Sequence, residues 1–149
     1  DLGPLTGNEY FVRGSTALYD AVALGIKKII NVQQQTKLEG RADKVIMVIT
    51  TDGYENASRE TNAAMLHKMI DDCKKEGWEF LFLGADIDAQ AVAGEIGIDP
   101  SRAANYMKDK QGVQVQYESL NYAIRSMRSG DHLPKDWKTR LEEDNKRAK

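Results

Sequence analysis

The chain lacks several features that would assign it to a specialised class of protein. Its 149 residues include a single cysteine, Cys73, so no disulfide can form within the chain. No apolar run approaches the roughly 20 residues that a membrane-spanning helix needs. Acidic and basic residues nearly balance, 23 against 21, and a net charge of −2 gives no electrostatic basis for binding nucleic acid. We therefore expect a globular, cytoplasmic protein with no membrane or nucleic-acid partner.

Motifs of nucleophilic catalysis are absent as well. The chain has no G-x-S-x-G elbow and no Walker-type phosphate loop. Cys73 falls on the apolar face of a predicted helix, so we expect it in the core. His67 and His132 lack a metal-binding spacing, and we expect surface roles for both. The sequence therefore gives no support for an enzyme.

The first half of the chain shows a regular change of hydrophobic pattern. Residues 1–14 read as irregular because glycine and proline interrupt any periodicity. Apolar residues then recur at helical spacing from Ser15, which with Thr16 can cap a helix that extends to about Gln35. Residues 44–51 form an apolar run without alternation, which is typical of a strand that is buried on both faces.

The second half continues the same alternation. A helix is predicted for about 59–76 and a strand for 78–84, followed by a short helix that ends at Gly97. A brief edge strand and a last amphipathic helix follow, the helix ending near Gly130. This order predicts an α/β fold, a doubly wound, Rossmann-like, mostly parallel sheet flanked by helices. We expect the domain to cover residues 1–129.

The charged segment 130–149 is expected to be a separate tail. It contains one tryptophan among mostly charged residues, which predicts a solvated or loosely docked helix rather than a second domain.

Three polar clusters should lie at one edge of the sheet. Ligands of open α/β sheets gather at the carboxyl ends of the parallel strands. The clusters at 14–16, 50–53 and 86–88 fall at such strand ends. The hydroxyl of Thr16 and the carboxylate of Asp52 are oxygen donors of the kind that Mg²⁺ prefers.

Each acidic residue of these clusters also has a purely structural interpretation. Asp52 and Gly53 can form a turn, because Asp bonds its own downstream backbone and Gly accepts a positive φ. Asp86 and Asp88 form a D-x-D pattern that could attract a cation, although Asp in the position of Asp88 more often caps the helix, here the one that begins at Ala89, and leaves Asp86 for the loop. Both interpretations stay open on the sequence alone.

Two segments taken together resemble the von Willebrand factor type A domains of bacteria and phages. The string RGSTALYDAV (13–22) is followed about thirty residues later by VIMVITTDGYEN (45–56). These strings resemble the second and third loops of that family's metal-ion-dependent adhesion site. The string GWEFLFLGADIDAQAVAGEIGI (77–98) resembles a later strand and helix of the same domain.

The resemblance implies a metal site and a role for each matching residue. Thr16 would bind Mg²⁺ or Mn²⁺ through its hydroxyl, and Asp52 would bind it through its carboxylate, directly or through water. Glu55 and Asn56 would lie on the rim, where plain loop solvation is an equal alternative. The loop-shaping or rim positions implied by the resemblance are Gly14, Ser15, Gly53, Glu55 and Asn56.

The chain departs from the family pattern in one respect. A complete adhesion site also has an Asp-x-Ser-x-Ser motif, and the nearest string here begins at Asp99, where Asp before Pro100 predicts the cap of a short helix. We therefore expect the chain to hold the C-terminal part of such a domain, without the N-terminal part that carries this motif, and to have weak metal affinity or none. We also expect the flank of the 44–51 strand to be an open edge on which a second copy could pair.

The function implied by the resemblance is that of a protein-interaction module. The cation would bind an Asp or Glu side chain of a partner protein. One alternative is a Mg²⁺-dependent phosphoryl-transfer enzyme that uses Asp52 with Asp86 or Asp88, since the fold hosts many such enzymes. Another is a scaffold or assembly element that binds no ligand at the strand ends.

Overall fold

The computed structural model describes residues 9–14, 17–36, 45–54, 57–130 and 132–148. Helices and strands alternate along these ranges, and two short 3-10 turns follow α3 and α5. None of the helices within the described ranges has the length and apolar content that a bilayer crossing requires. The strands and helices are β1 (Glu9–Gly14), α1 (Leu18–Gln35), β2 (Ile46–Thr51), α2 (Ala63–Lys75), β3 (Glu79–Gly84), α3 (Ala89–Glu95), β4 (Ala103–Asn105), α4 (Lys110–Arg128) and α5 (Thr139–Asn145).

The four strands form one all-parallel sheet in chain order, β1-β2-β3-β4. Helices cover both faces of this sheet, so the predicted α/β fold is confirmed. The register places Gly14 opposite Thr51, Thr51 opposite Gly84 and Gly84 opposite Asn105. The carboxyl ends of all four strands therefore lie along a single edge.

Burial of β2 and β3 on both faces explains their unbroken apolar sequence. The helices α1, α2 and α3 pack on one face, against Met47, Ile49 and Phe82 among others. The helices α4 and α5 pack on the opposite face, against residues such as Val48 and Leu83. Because successive side chains of a strand point to opposite faces, a strand in the middle layer needs apolar residues at every position.

The strand β1 corrects the prediction that residues 1–14 are irregular. Tyr10, Phe11 and Val12 favour extended structure. Tyr10 and Val12 pack against the cluster under α1, whereas Phe11 packs against the cluster under α4. Proline and glycine signals in residues 1–8, which lie outside the described ranges, concealed this short run. Since β1 pairs with β2, the predicted open flank of the 44–51 strand is wrong, and the outer strand is β1. Pairing of a second copy at an edge stays a prediction.

The segment 132–148 is docked more firmly than its composition predicts. The side chain of Trp137 is 2% exposed, and Leu141 is buried beside it in the cluster that holds α4 to the sheet. Trp137 Nε1 also donates to the Ser101 carbonyl at 2.9 Å. The expectation of a loosely docked tail is therefore wrong for this part of the chain.

The same segment covers the outer edge of β4. Lys138 Nζ donates to the Ala103 carbonyl at 2.9 Å, and Asn145 Nδ2 donates to the Asn105 carbonyl at 2.7 Å. These side chains supply donors to carbonyl groups of an edge strand that would otherwise be open to another chain.

Helix starts agree with the sequence at Asp88 and Asp99 and differ at α2. Asp99 caps the 3-10 turn at Pro100–Arg102, as predicted, and the caps of α3 and α4 are also Asp residues. The helix α1 begins after Ala17, which has no capping side chain; the expected cap by Ser15 or Thr16 falls outside the described residues and stays a prediction. The helix α2 begins only at Ala63, where Asn62 accepts from the Met65 amide.

Candidate functional site at the carboxyl ends of the strands

The described residues of the three predicted clusters lie at the carboxyl ends of neighbouring strands. Gly14 of the first cluster lies beside the 50–53 cluster, and the 86–88 cluster follows the next strand. Gly14, the last residue of β1, lies opposite Thr51, directly before Asp52. Gly84 ends β3 on the other side of β2, two residues before Asp86. The predicted residues Ser15, Thr16, Glu55 and Asn56 lie outside the described residues, so the proposed roles of these four residues stay predictions.

Asp52 follows β2 directly, and it is exposed. The turn is made by the buried Thr51, whose hydroxyl donates to the Gly53 carbonyl at 3.0 Å and accepts from the Gly53 amide at 3.4 Å. Gly53 does not have a positive φ. The predicted positive φ at Gly53 is therefore wrong, whereas a bond from Asp52 to the backbone of residues 55 or 56 falls outside the described residues. Within the described ranges no hydrogen bond or ion pair engages the Asp52 carboxylate.

Asp86 follows β3 and forms an ion pair with a residue from another loop. Its Oδ2 lies 2.6 Å from Nζ of Lys108, in the connection between β4 and α4. The pKa of Lys108 is raised, first by the hydrogen bond to Asp86 and also by the negative charges of Asp86 and Asp52. Asp86 has a φ of 60°, a conformation that Asp tolerates better than most residues. One ammonium thus faces the acidic residues of two neighbouring strand ends.

Asp88 has the structural role that the sequence left open. Its Oδ1 accepts from the Ala91 amide at 3.1 Å and so caps α3. Its own amide donates to the hydroxyl of Tyr54 at 3.1 Å, which connects the loop after β3 with the loop after β2. Asp88 is therefore a helix cap, and its role as a weaker metal candidate stays a prediction.

The loop between β3 and α3 is held from both sides. Asn105, at the end of β4, accepts from the Ala89 amide at 3.2 Å and donates to the Ile87 carbonyl at 2.6 Å. Ile87 folds back over Gly84, where an added Cβ would lie 2.5 Å from the Ile87 side chain. Glycine at this position lets the loop pack tightly and fixes the backbone on both sides of Asp86.

The connection that carries Lys108 is fixed by contacts on both sides of it. A Cβ on Gly112 would lie 2.0 Å from the Met107 carbonyl oxygen, so only glycine allows this backbone approach. Asp109 caps α4 by accepting from the Gly112 amide at 2.8 Å. Arg147 binds the same Asp109 through two nitrogens, at 2.8 and 3.1 Å. The backbone at Lys108 is therefore anchored, whereas its long side chain is half exposed.

Asp20 positions the segment that follows the Asp52 turn. Its carboxylate accepts from the amides of Arg59, Glu60 and Thr61 at 2.9, 3.3 and 2.9 Å, and its own amide donates to the Ser58 hydroxyl. These backbone bonds, the one from Arg59 first, lower the pKa of Asp20. Sequence reasoning missed this role, although Asp20 lies within the quoted RGSTALYDAV string.

Two further titratable residues, His67 and Cys73, lie on α2. His67 pairs with Asp71 at 3.3 Å on the surface of α2, as expected from the sequence. Burial raises the pKa of the Cys73 thiol to about 11, which agrees with its predicted place in the core and keeps the thiol protonated. A cavity of about 230 Å³ near Trp78 and Arg102 lies toward the amino end of β3, at the opposite edge of the sheet.

Comparison of the chain with protein-family models, curated proteins and solved structures gave no match. The resemblance to the von Willebrand factor type A family therefore rests on the quoted sequence strings.

The described side chains fit a divalent cation only in part. Asp52 and Asp86 are hard oxygen donors at neighbouring strand ends, which suits Mg²⁺ or Mn²⁺. However, the described ranges contain no group of three His, Cys, Asp or Glu side chains that could hold a metal ion. Asp86 is also engaged by Lys108. A cation at this edge would depend mainly on Asp52, on water and on oxygen atoms from outside the described residues.

Proposed function

We propose that this domain is a protein-interaction module of the von Willebrand factor type A kind. It binds a carboxylate of a partner protein through Mg²⁺ or Mn²⁺ at the carboxyl ends of its strands. The observation that carries this proposal is the register of β1 and β2, in which Gly14 lies opposite Thr51. The loop that starts at Gly14 and the loop that holds Asp52 are thus neighbours, as the resemblance requires.

An exposed carboxylate suits recognition of a protein better than chemistry on an enclosed substrate. Asp52 is exposed, and the Asp86 side chain is 66% exposed. Mg²⁺ commonly keeps several waters and binds proteins through one or two carboxylates. A cation on Asp52 therefore has open positions, one of which the partner's carboxylate fills. The cation alone binds weakly, because the described residues supply few ligands.

Contacts of Asp20, Tyr54 and Thr51 hold the loop after β2 and connect it to the loop after β3. These contacts do not use the Asp52 carboxylate. Asp20 holds residues 59–61, and Tyr54 joins the neighbouring loop at Asp88. Thr51 supplies the turn with its own hydroxyl. Since other side chains maintain these loops, the Asp52 carboxylate, which has no partner among the described residues, can bind a ligand.

Binding of Mn²⁺ tests the proposal. We expect Mn²⁺ titrations, followed by the electron paramagnetic resonance signal of the free ion, to show weak binding by the wild type. The variant Asp52→Asn should lose it, because an amide is a much weaker ligand than a carboxylate. Asp72→Asn is the matched control, since Asp72 is an exposed acid on α2 and should not matter. Equal Mn²⁺ binding by wild type and Asp52→Asn would contradict the proposal.

The partner's carboxylate can be represented by acetate. With Mn²⁺ bound at an open coordination position, we expect faster proton relaxation of the acetate methyl group with wild type than with Asp52→Asn. No difference between the two proteins at equal Mn²⁺ and acetate concentrations would mean that the bound cation offers no position to a carboxylate.

A further inference from the structure

A cavity of about 440 Å³ lies between the C-terminal segment and the 3-10 turn that precedes β4. One wall is the turn Pro100–Arg102, and the other is formed by residues 132–138. The cavity is at the amino end of β4, whereas Asp52 follows the carboxyl end of β2. We propose that this cavity binds an acidic peptide segment of a partner protein directly, without a metal ion.

The described lining of the cavity carries basic side chains and no acidic one. Its basic residues are Arg102, His132, Lys135 and Lys138. The described contacts of Lys135 and Lys138 include no ion pair with a carboxylate, so these two positive charges are not neutralised there. The lining therefore complements a ligand that carries carboxylates.

Among the described residues, three acids close to these basic side chains do not line the cavity. Glu79 and Asp99 line a neighbouring cavity, which shares Arg102 with this one. Asp136 follows Lys135 in the chain, but its carboxylate accepts from a tyrosine hydroxyl of α4 at 2.8 Å. The ion pair with Glu79 offsets part of the Arg102 charge, and the positive charge of Lys135 remains.

Hydrogen bonds between the two walls fix the cavity before a ligand binds. Trp137 Nε1 donates to the Ser101 carbonyl at 2.9 Å. Lys138 Nζ donates to the carbonyls of Pro100 and Ala103 at 3.1 and 2.9 Å. The remaining proton of this ammonium is available to a ligand. Because the walls and the Lys138 side chain are already ordered, a peptide loses less conformational entropy when it binds.

Arg102 presents an oriented guanidinium to the cavity. Its Nη1 bonds to the Glu79 carboxylate on the side of the neighbouring cavity, and the Arg102 side chain is 29% exposed. A guanidinium carries several N–H donors in one rigid plane, so the donors that Glu79 does not use can bind a second carboxylate. The ion pair with Glu79 thus holds Arg102 in place for a ligand.

An acidic peptide suits this lining better than phosphate or a nucleic acid. Leu133 and Pro134 add an apolar part to the lining, which the side chains of a peptide can cover. Alternate side chains of an extended peptide point to the same side, so acidic and apolar residues can enter the cavity together. The chain as a whole has a net charge of −2, which opposes binding of a nucleic-acid backbone.

Fluorescence anisotropy with a labelled peptide in the presence of EDTA tests the proposal. The probe is a short peptide of Glu and Leu, and the comparison peptide has Gln at every Glu position. We expect wild type to bind the Glu peptide at least about tenfold more tightly than the Gln peptide, because only carboxylates pair with the basic lining. Equal binding of the two peptides would overturn the proposal.

Reversal of one charge in the lining locates the peptide. Lys135→Glu should weaken binding of the Glu peptide by about fivefold or more. Lys28→Glu is the matched control, since Lys28 is an exposed residue of α1 on the opposite face of the sheet. It should change the affinity by less than about twofold. Equal losses in the two variants would show a general effect of charge and overturn the proposal.

Arg102→Gln tests the oriented guanidinium. We expect it to weaken binding of the Glu peptide by about fivefold or more. Because this variant also leaves Glu79 without its partner, circular dichroism establishes whether it folds. Lys135→Glu decides the outcome if it does not, since Lys135 is exposed.

Two further measurements separate this cavity from the Asp52 edge and from nucleic acid. Asp52→Asn should leave peptide binding in EDTA unchanged. Peptide binding that requires Mn²⁺, or that Asp52→Asn abolishes, would overturn this inference and support the proposed function instead. Tighter binding of a thymidine oligonucleotide of the same charge than of the Glu peptide would also overturn it. Failure of Mn²⁺ to bind at Asp52 would contradict the proposed function alone.

Discussion

Two regions of this molecule place a basic side chain between acidic ones, with different results. Arg147 binds Asp144 at 2.7 and 2.9 Å and Asp109 at 2.8 and 3.1 Å, and the Asp144 side chain is 5% exposed. Lys108 binds Asp86 at a single short distance, and both side chains are largely exposed. The first group holds the C-terminal segment on the fold, whereas the second joins two exposed side chains from neighbouring loops. Both regions pair a basic side chain with carboxylates, so the difference between them comes from geometry and burial and not from the type of charge.

The difference follows from the chemistry of the two basic groups. The guanidinium presents several donors in a rigid plane, so one side chain satisfies two carboxylates at once. The resulting group connects the cap of α4 with the end of α5, and Gln111 Nε2 also donates to Asp144 at 2.8 Å. An exposed ammonium with one carboxylate has no comparable support. We expect substitutions to affect stability strongly in the first region and weakly in the second.

The largest effect is expected from Arg147→Ala. It leaves the nearly buried Asp144 without its counter-charge and frees Asp109 from one partner, so the melting temperature should fall by about 5 °C. Arg140→Ala is the control, since Arg140 makes only an exposed pair with Glu118 and should lower the melting temperature by less than about 2 °C. Differential scanning calorimetry measures both. Equal losses would show that the Arg147 group is no stronger than an ordinary surface pair.

A smaller effect, dependent on pH, is expected from Asp109. The hydrogen bond from Arg147, and then that from the Gly112 amide, lower the pKa of Asp109 from 3.8 to about 2. A carboxyl whose pKa is lower in the folded state stabilises the fold above the unfolded pKa and loses this effect as pH falls through the folded pKa. Wild type should therefore exceed Asp109→Asn in urea midpoint by a constant amount above about pH 5.

The same difference should shrink between about pH 4 and pH 2 as Asp109 takes up a proton. Urea denaturation of both proteins at one-unit pH intervals measures the change. Asp136→Asn serves as control, because the described hydrogen bond of its carboxylate is the one from the exposed Tyr122 hydroxyl. A wild-type advantage that persists unchanged at pH 2 would contradict the assigned role of the Asp109 carboxylate.

Local patterns predicted the core of the fold because they act over a few residues. The apolar run at 45–49 needs two covered faces, and the caps at Asp88 and Asp99 follow from residue type and position. The docking of Trp137 and Leu141 was not predictable in this way. Two apolar side chains in a charged segment give no helical periodicity, and their burial depends on the distant surface of α4.

The candidate site shows the same division between local and distant effects. Strand ends and acidic residues were visible in the sequence, so Asp52 and Asp86 could be placed at one edge. Their partners were not visible, since Lys108 reaches Asp86 from another loop and Asp20 lies 40 residues from Glu60. Only folding brings these groups together. Sequence reasoning therefore identified the carboxylates of Asp52 and Asp86 but missed the Lys108 ammonium that pairs with Asp86.

The smallest effect on stability is expected from Asp52→Asn. Since no described hydrogen bond or ion pair uses the Asp52 carboxylate, and Thr51 makes the turn with its own hydroxyl, the free energy of unfolding should change by less than about 0.5 kcal/mol. Urea denaturation without metal measures this value, and Thr51→Val, which removes the buried hydroxyl, should cost about 1 kcal/mol or more. A large loss for Asp52→Asn would show that its carboxylate supports the fold, in which case any loss of Mn²⁺ binding by this variant could no longer be assigned to a missing ligand.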